Sequence, residues 1–175
     1  MVGATGAAPL ARLFASLDGD RSADDSHFPE TIPPVEHPHT LATAIKIGAP
    51  VSWRKALGAV LRSQGQVITV SEQEIADAKA MVGREGIGCE PASATTVAGI
   101  RKLVASGHIA PEESVVAVLT GHVLKDPDYV SHYHRGTLLA DFSSGSATPL
   151  SGAFQNAPAS VAATKTAILE SLWQR

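Results

Sequence analysis

Apolar positions along this chain fall into two rhythms, short continuous runs and stripes repeating every three or four residues, and their alternation predicts an α/β protein. Met1 to Ala15 is small and apolar and reads as the tail of a strand running into a helix. Trp53, Ala56, Leu57, Val60 and Leu61 recur at helical spacing behind Ser52 as N-cap, and Gly65 stops that helix. Val67-Ile-Thr-Val70 is a short strand. Ser71-Glu-Gln-Glu74 is a capping-box pattern, followed by the stripe Ile75, Ala78, Met81 and Val82 and an end near Gly86. A third helix starts at Ser93 or Thr95, runs through Val97, Ile100, Leu103 and Val104, and is capped by Gly107.

The run Val115-Val-Ala-Val-Leu119 holds three β-branched residues in five and predicts a strand buried on both faces, as in a parallel sheet. From Tyr129 onward periodicity is lost. Phe142-Ser-Ser-Gly-Ser-Ala-Thr-Pro149 reads as a flexible polar linker, and Val161 to Trp173 as a final helix with Val161, Ile168, Leu169 and Leu172 on its apolar side. The expected organisation is 1–130 as one α/β unit and 131–175 as an extension. Within the first, 16–40 is an acidic loop or insertion. It carries five aspartates and glutamates before Ile32, the pair Pro33-Pro34 and His27, His37 and His39, a composition expected to lie in solvent.

Composition narrows the function classes. With 44% apolar residues in 175, the chain can build a real core. A net charge of −3 carries no footprint for nucleic acid or an anionic membrane surface, and no apolar run approaches a membrane span. Cys89 stands alone, which removes an internal disulfide framework and any multi-cysteine zinc site. A cytoplasmic setting is the expectation.

Candidate chemistry gathers at the predicted strand end. Ligands of open α/β sheets sit beyond the carboxyl ends of strands. Thr120 occupies that place with a hydroxyl that donates or accepts, and Gly121 beside it lets another group come close. The competing reading of Thr120-Gly121-His122 is a strand cap bonding local backbone. Gly88-Cys-Glu-Pro-Ala-Ser-Ala94 opens a helix and offers either accessible backbone N–H groups for an anion or ordinary capping by Ser93. Glu90, held extended before Pro91, can approach a ligand. Lys125, next to Asp126, reads as a solvated surface lysine rather than a carbonyl-reactive amine, and Cys89 as a small core residue. His37/His39 and His132/His134 form two H-x-H pairs without a recognisable third ligand, so no metal is expected. No Gly-rich phosphate loop and no Gly-x-Ser-x-Gly elbow is present.

Three separated segments, Thr40 to Trp53, Gly86 to Ala94, and Val118-Leu-Thr-Gly-His-Val-Leu-Lys-Asp-Pro127, together resemble the C-terminal part of the threonine synthase family. The resemblance covers roughly residues 37 to 130, and residues 1 to 15 look like the family's Val-Gly strand and following helix. It implies a partial parallel sheet with flanking helices in the tryptophan-synthase-β-like fold, pyridoxal phosphate as cofactor, and a lyase of threonine biosynthesis. That reaction turns O-phosphohomoserine and water into threonine and phosphate. For Thr120 it implies a hydrogen bond to the pyridine nitrogen of the cofactor, a neutral partner that does not hold that nitrogen as a pyridinium.

The departures also matter. Val123 stands where the family pattern has glycine, which implies a stiffer or shifted loop. The acidic stretch from Ser16 to Glu36 is longer than the family's usual connection. The family's Schiff-base lysine, the asparagine over the ring and the phosphate loop all precede the matched region, so the chain alone is expected to be inactive. The alternatives are a non-catalytic module that pairs with a separate N-terminal chain or a full-length enzyme, and a truncated gene product.

Overall fold

A computed structural model describes residues 1–17, 28–138 and 152–173. It forms two compact units, Met1–Pro127 and Asp128–Arg175. In the first, β1 (Val2–Ala4) and β2 (Ile68–Val70) pair in parallel, Val2 opposite Ile68 and Ala4 opposite Val70. The fold is therefore α/β with a two-stranded parallel sheet among the described residues. Between the strands run α1 (Pro9–Ser16) and α2 (Trp53–Arg62), and β2 is followed by α3 (Glu72–Arg84) and α4 (Pro91–Ala105).

The capping box forms as its sequence predicts. Ser71 Oγ accepts from the Glu74 amide at 3.2 Å, while Glu74 Oε2 accepts from the Ser71 amide at 2.7 Å. The helix stripes meet in one core of Ala4, Val70, Ile75, Ala78, Val82, Cys89, Ala94 and Ala98, with Leu119 packed at its margin. Gly99 brings α4 tight against the sheet, since a Cβ there would stand 2.5 Å from Val2 Cγ2. A second cluster packs Leu10 and Leu13 of α1 against Trp53, Leu57 and Leu61 of α2.

Several expectations need correction. Residues 115–119 form no strand: Val116 is 87% and Val118 63% exposed, because no described segment lies beside them to complete a ladder. Pairing, not composition, decides that outcome. The 16–40 segment is not all solvated. Phe28 and Ile32 are buried in the α1/α2 cluster and Thr40 is buried too, since an apolar residue among charged neighbours still finds a core when the loop folds back. Its residues 18–27 lie outside the described part. Helix α4 begins two residues before Ser93, at Pro91, because proline fixes the φ that the first helical position needs.

The second unit holds α5 (Pro127–Arg135) except for its first residue, in a stretch read as aperiodic. Pro127 at its start and the buried pair Tyr129 and Tyr133, four apart, are the helical signal. The terminal helix α6 (Lys165–Trp173) forms, yet Ile168, Leu169 and Leu172 are exposed rather than packed, and Val161 precedes the helix. The Phe142–Pro149 linker lies outside the described residues.

Candidate functional site

The loop 120–127 lies over the N-terminal end of α4. Glu90 is the N-cap residue of that helix, in extended conformation ahead of Pro91, as its sequence position requires. Its amide donates to the Gly121 carbonyl at 3.0 Å, which fixes the loop to the helix start. The Glu90 side chain then lies across Gly121, where any Cβ would run into the carboxylate. Gly121 thus permits a close approach, and the approaching group is Glu90.

Ser93 does not cap its own helix. Buried inside the first turn, its Oγ accepts from the Thr120 amide at 2.9 Å and the Gly121 amide at 3.0 Å. It also lies 3.2 Å from Thr120 Oγ1 and 3.5 Å from Glu90 Oε1. These bonds hold Thr120, an exposed residue, at the end of the 115–119 run. The loop continues through a 3-10 turn, Val123–Lys125, capped by His122, whose Nδ1 accepts from the Leu124 amide at 3.1 Å.

Lys125 lies at the surface as expected, its side chain 51% exposed, but its partner is Glu90 rather than the adjacent Asp126. Its ammonium stands 2.7 Å from Glu90 Oε2, an oxygen with no hydrogen bond of its own in a side chain only 5% exposed. A buried carboxylate without a partner is costly, so this pair closes the loop over Glu90. Asp126 turns the other way and accepts from Thr43 Oγ1 at 3.3 Å. Val123 packs on Gly88, where a Cβ would fall 2.6 Å from its own. The side chain that replaces the expected glycine is accommodated because Gly88 has none.

Beneath the loop, the buried Lys79 of α3 donates to the Cys89 carbonyl at 2.5 Å. Burial pushes the Lys79 amine down from its ordinary value, opposed by the Cys89 thiol and the Asp126 carboxylate. Burial likewise pushes the Cys89 thiol up, opposed by Lys79, which keeps it a protonated core residue. Sequence reasoning missed the Ser93 strap, the Glu90–Lys125 pair and Lys79. Only the Glu90-Pro91 step, which places a carboxylate at a helix start, hinted at any of them.

No group of three or more histidines, cysteines or carboxylates among the described residues is arranged to hold a metal ion. No helix among them is long and apolar enough to cross a membrane.

The family described as "Pyridoxal-phosphate dependent enzyme" matches residues 2–121. Among curated relatives, the threonine synthase of Methanosarcina acetivorans is 53% identical over 100 residues, 57% of this chain and 25% of the relative. That of Methanocaldococcus jannaschii is 42% identical over 126 residues, 71% of this chain and 28% of the relative. That of Mycobacterium tuberculosis is 43% identical over 118 residues, 67% of this chain and 31% of the relative. The chain thus spans about a quarter to a third of the length of these relatives.

Proposed function

The chain belongs to the pyridoxal-phosphate-dependent enzyme family, and from that membership we propose that it is the C-terminal segment of a threonine synthase, with Thr120 as its contact to the cofactor. The reaction is conversion of O-phosphohomoserine and water to threonine and phosphate. Residues 1–130 serve as part of the large domain and 131–175 as its extension, in a cytoplasmic setting.

The observation that carries this reading is the exposed Thr120, held by a buried serine at a helix start. The donor set fits one end of the cofactor. Its ring nitrogen is an acceptor when unprotonated, and a threonine hydroxyl is a neutral donor. When bound, the cofactor supplies the electron sink for carbanion chemistry. Thr120 orients the ring and leaves its nitrogen uncharged, the Glu90–Lys125 pair holds the loop shut beside it, and Cys89 keeps its proton below.

The lysines nearest this loop do not offer a free amine: Lys125 pairs with Glu90 and Lys79 is spent on the Cys89 carbonyl. In the reading proposed here another segment supplies the Schiff-base lysine and the phosphate loop, and this chain alone is inactive. The exposed run at 115–119 favours a second, compatible reading, a module that docks on the N-terminal portion of the enzyme and completes a parallel ladder with it.

The test is a pyridoxal phosphate titration of this chain reconstituted with the N-terminal portion of a threonine synthase. Leaving a buried acceptor unpaired costs about 1–3 kcal/mol, so Thr120→Val weakens binding by about tenfold or somewhat more. Thr120→Ser keeps the hydroxyl and most of the affinity. If both variants bind like the parent, Thr120 is only a loop cap.

A further inference from the structure

We propose that Ser93 is a positioning residue that fixes the Thr120 hydroxyl as an outward-pointing donor. The cofactor arm of this proposal rests on the function proposed above; the structural arm stands without it. A serine hydroxyl has two acceptor lone pairs and one proton. Both lone pairs of Ser93 are taken, by the Thr120 amide at 2.9 Å and the Gly121 amide at 3.0 Å. Its single proton goes to Thr120 Oγ1 at 3.2 Å or to Glu90 Oε1 at 3.5 Å.

In either arrangement Ser93 has no lone pair left to accept the Thr120 proton. That proton points away from Ser93, on an exposed side chain at the loop surface. The site so formed offers a donor to an acceptor atom, which is the chemistry of an uncharged ring nitrogen. Ser93 itself is 3% exposed, so it acts only through Thr120. The Ser93 hydroxyl caps none of the amides of α4, whose start has no side-chain cap. Alanine is the stronger helix former, and α4 takes its N-cap from Glu90.

Ser93→Ala therefore leaves α4 folded and removes the strap together with the 3.5 Å contact to Glu90 Oε1. Amide hydrogen exchange of the chain by itself tests the strap. Exchange at Thr120 and Gly121 should accelerate about tenfold or more in Ser93→Ala, with the interiors of α3 and α4 unchanged. Unchanged exchange at those two amides overturns the proposal, whether or not any cofactor binds.

Titration of the reconstituted enzyme with pyridoxal 5′-phosphate supplies a readout that a merely structural role would not move. Ser93→Ala should weaken binding severalfold in the parent and have little further effect in a Thr120→Val background, because the hydroxyl it orients is already gone. Full additivity of the two losses in the double variant overturns the proposal. If Thr120→Val and Thr120→Ser bind like the parent while exchange at the two amides rises in Ser93→Ala, the cofactor assignment of Thr120 fails and the strap stands. The two failures are thus distinguishable.

Discussion

Residues 67–70 and 115–119 are near twins in sequence, both short, apolar and rich in β-branched side chains, yet they end in opposite environments. Val70 is fully buried in β2, paired with Ala4 and covered by α4. Val116 and Val118 stand in solvent. The difference lies in the neighbours. Beside β2 runs β1, and the Val70 carbonyl, at the strand end, accepts from Thr5 Oγ1 at 3.0 Å. Beside 115–119 no described strand runs, and only Leu119 reaches the core margin. An apolar run is a request for a ladder, and the rest of the fold decides whether it is met.

The sharpest way to break that comparison is to place the same charge in both runs. Val70→Asp puts a carboxyl among Ile75, Ala78 and Ala94 with no partner, at a cost of about 2–7 kcal/mol even when protonated. That is a large share of the stability of a small domain, so the folded state should be lost or nearly lost in urea denaturation. Val118→Asp should change the stability of the chain alone by no more than about 0.5 kcal/mol. With the N-terminal portion present, the same variant should weaken assembly by about tenfold or more, because a buried ladder then closes over residue 118. Equal destabilisation of the isolated chain by both variants would show that 115–119 is already packed.

The same contrast explains what the sequence made legible. Periodicity located α2, α3 and α4, and the Ser71/Glu74 spacing predicted a capping box that forms with both of its bonds. These are local signals, complete within one turn of chain. The 115–119 run, Phe28 and Ile32, and the bonds of Ser93 to the Thr120 loop depend on partners beyond the local turn, such as Trp53 for Phe28, which no local pattern encodes. The site was half legible. Thr120 and Gly121 stood out as a strand-end pair, but the groups that hold them, Ser93 and Glu90, read as helix caps. Lys125 was placed beside Asp126 because they are adjacent in sequence, whereas the structure sends one to Glu90 and the other to Thr43.

A smaller effect separates the sheet from the helices that need no close neighbour. A Cβ at Gly99 would stand 2.5 Å from Val2 Cγ2, so Gly99→Ala forces α4 and Val2 of β1 apart. Overpacking of this kind costs about 1–3 kcal/mol, against the 0.5–1 kcal/mol that alanine recovers in a helix. Gly83, late in α3, has nothing within 4 Å of the same added atom. Gly83→Ala should therefore stabilise where Gly99→Ala destabilises, as read by thermal unfolding. Equal stabilisation at both would mean that α4 does not bear on Val2 of β1.

The smallest effect concerns how each run is continued. Val70 passes at once to Ser71, whose Oγ and whose partner Glu74 satisfy two amides at the start of α3. Leu119 passes to Thr120 and Gly121, whose amides are met by the distant Ser93. One run is thus followed by a local anchor and the other by a long-range one. Ser71→Ala removes the cap and should cost about 1 kcal/mol of global stability, while Ser71→Asp, another good N-cap, should retain most of it. The exposed Lys102–Glu74 pair at 3.7 Å contributes little to this balance, so the loss should persist at high salt. A loss abolished by salt would instead assign the stabilisation to Glu74 and Lys102, and the start of α3 would owe its order to charge rather than to the serine hydroxyl.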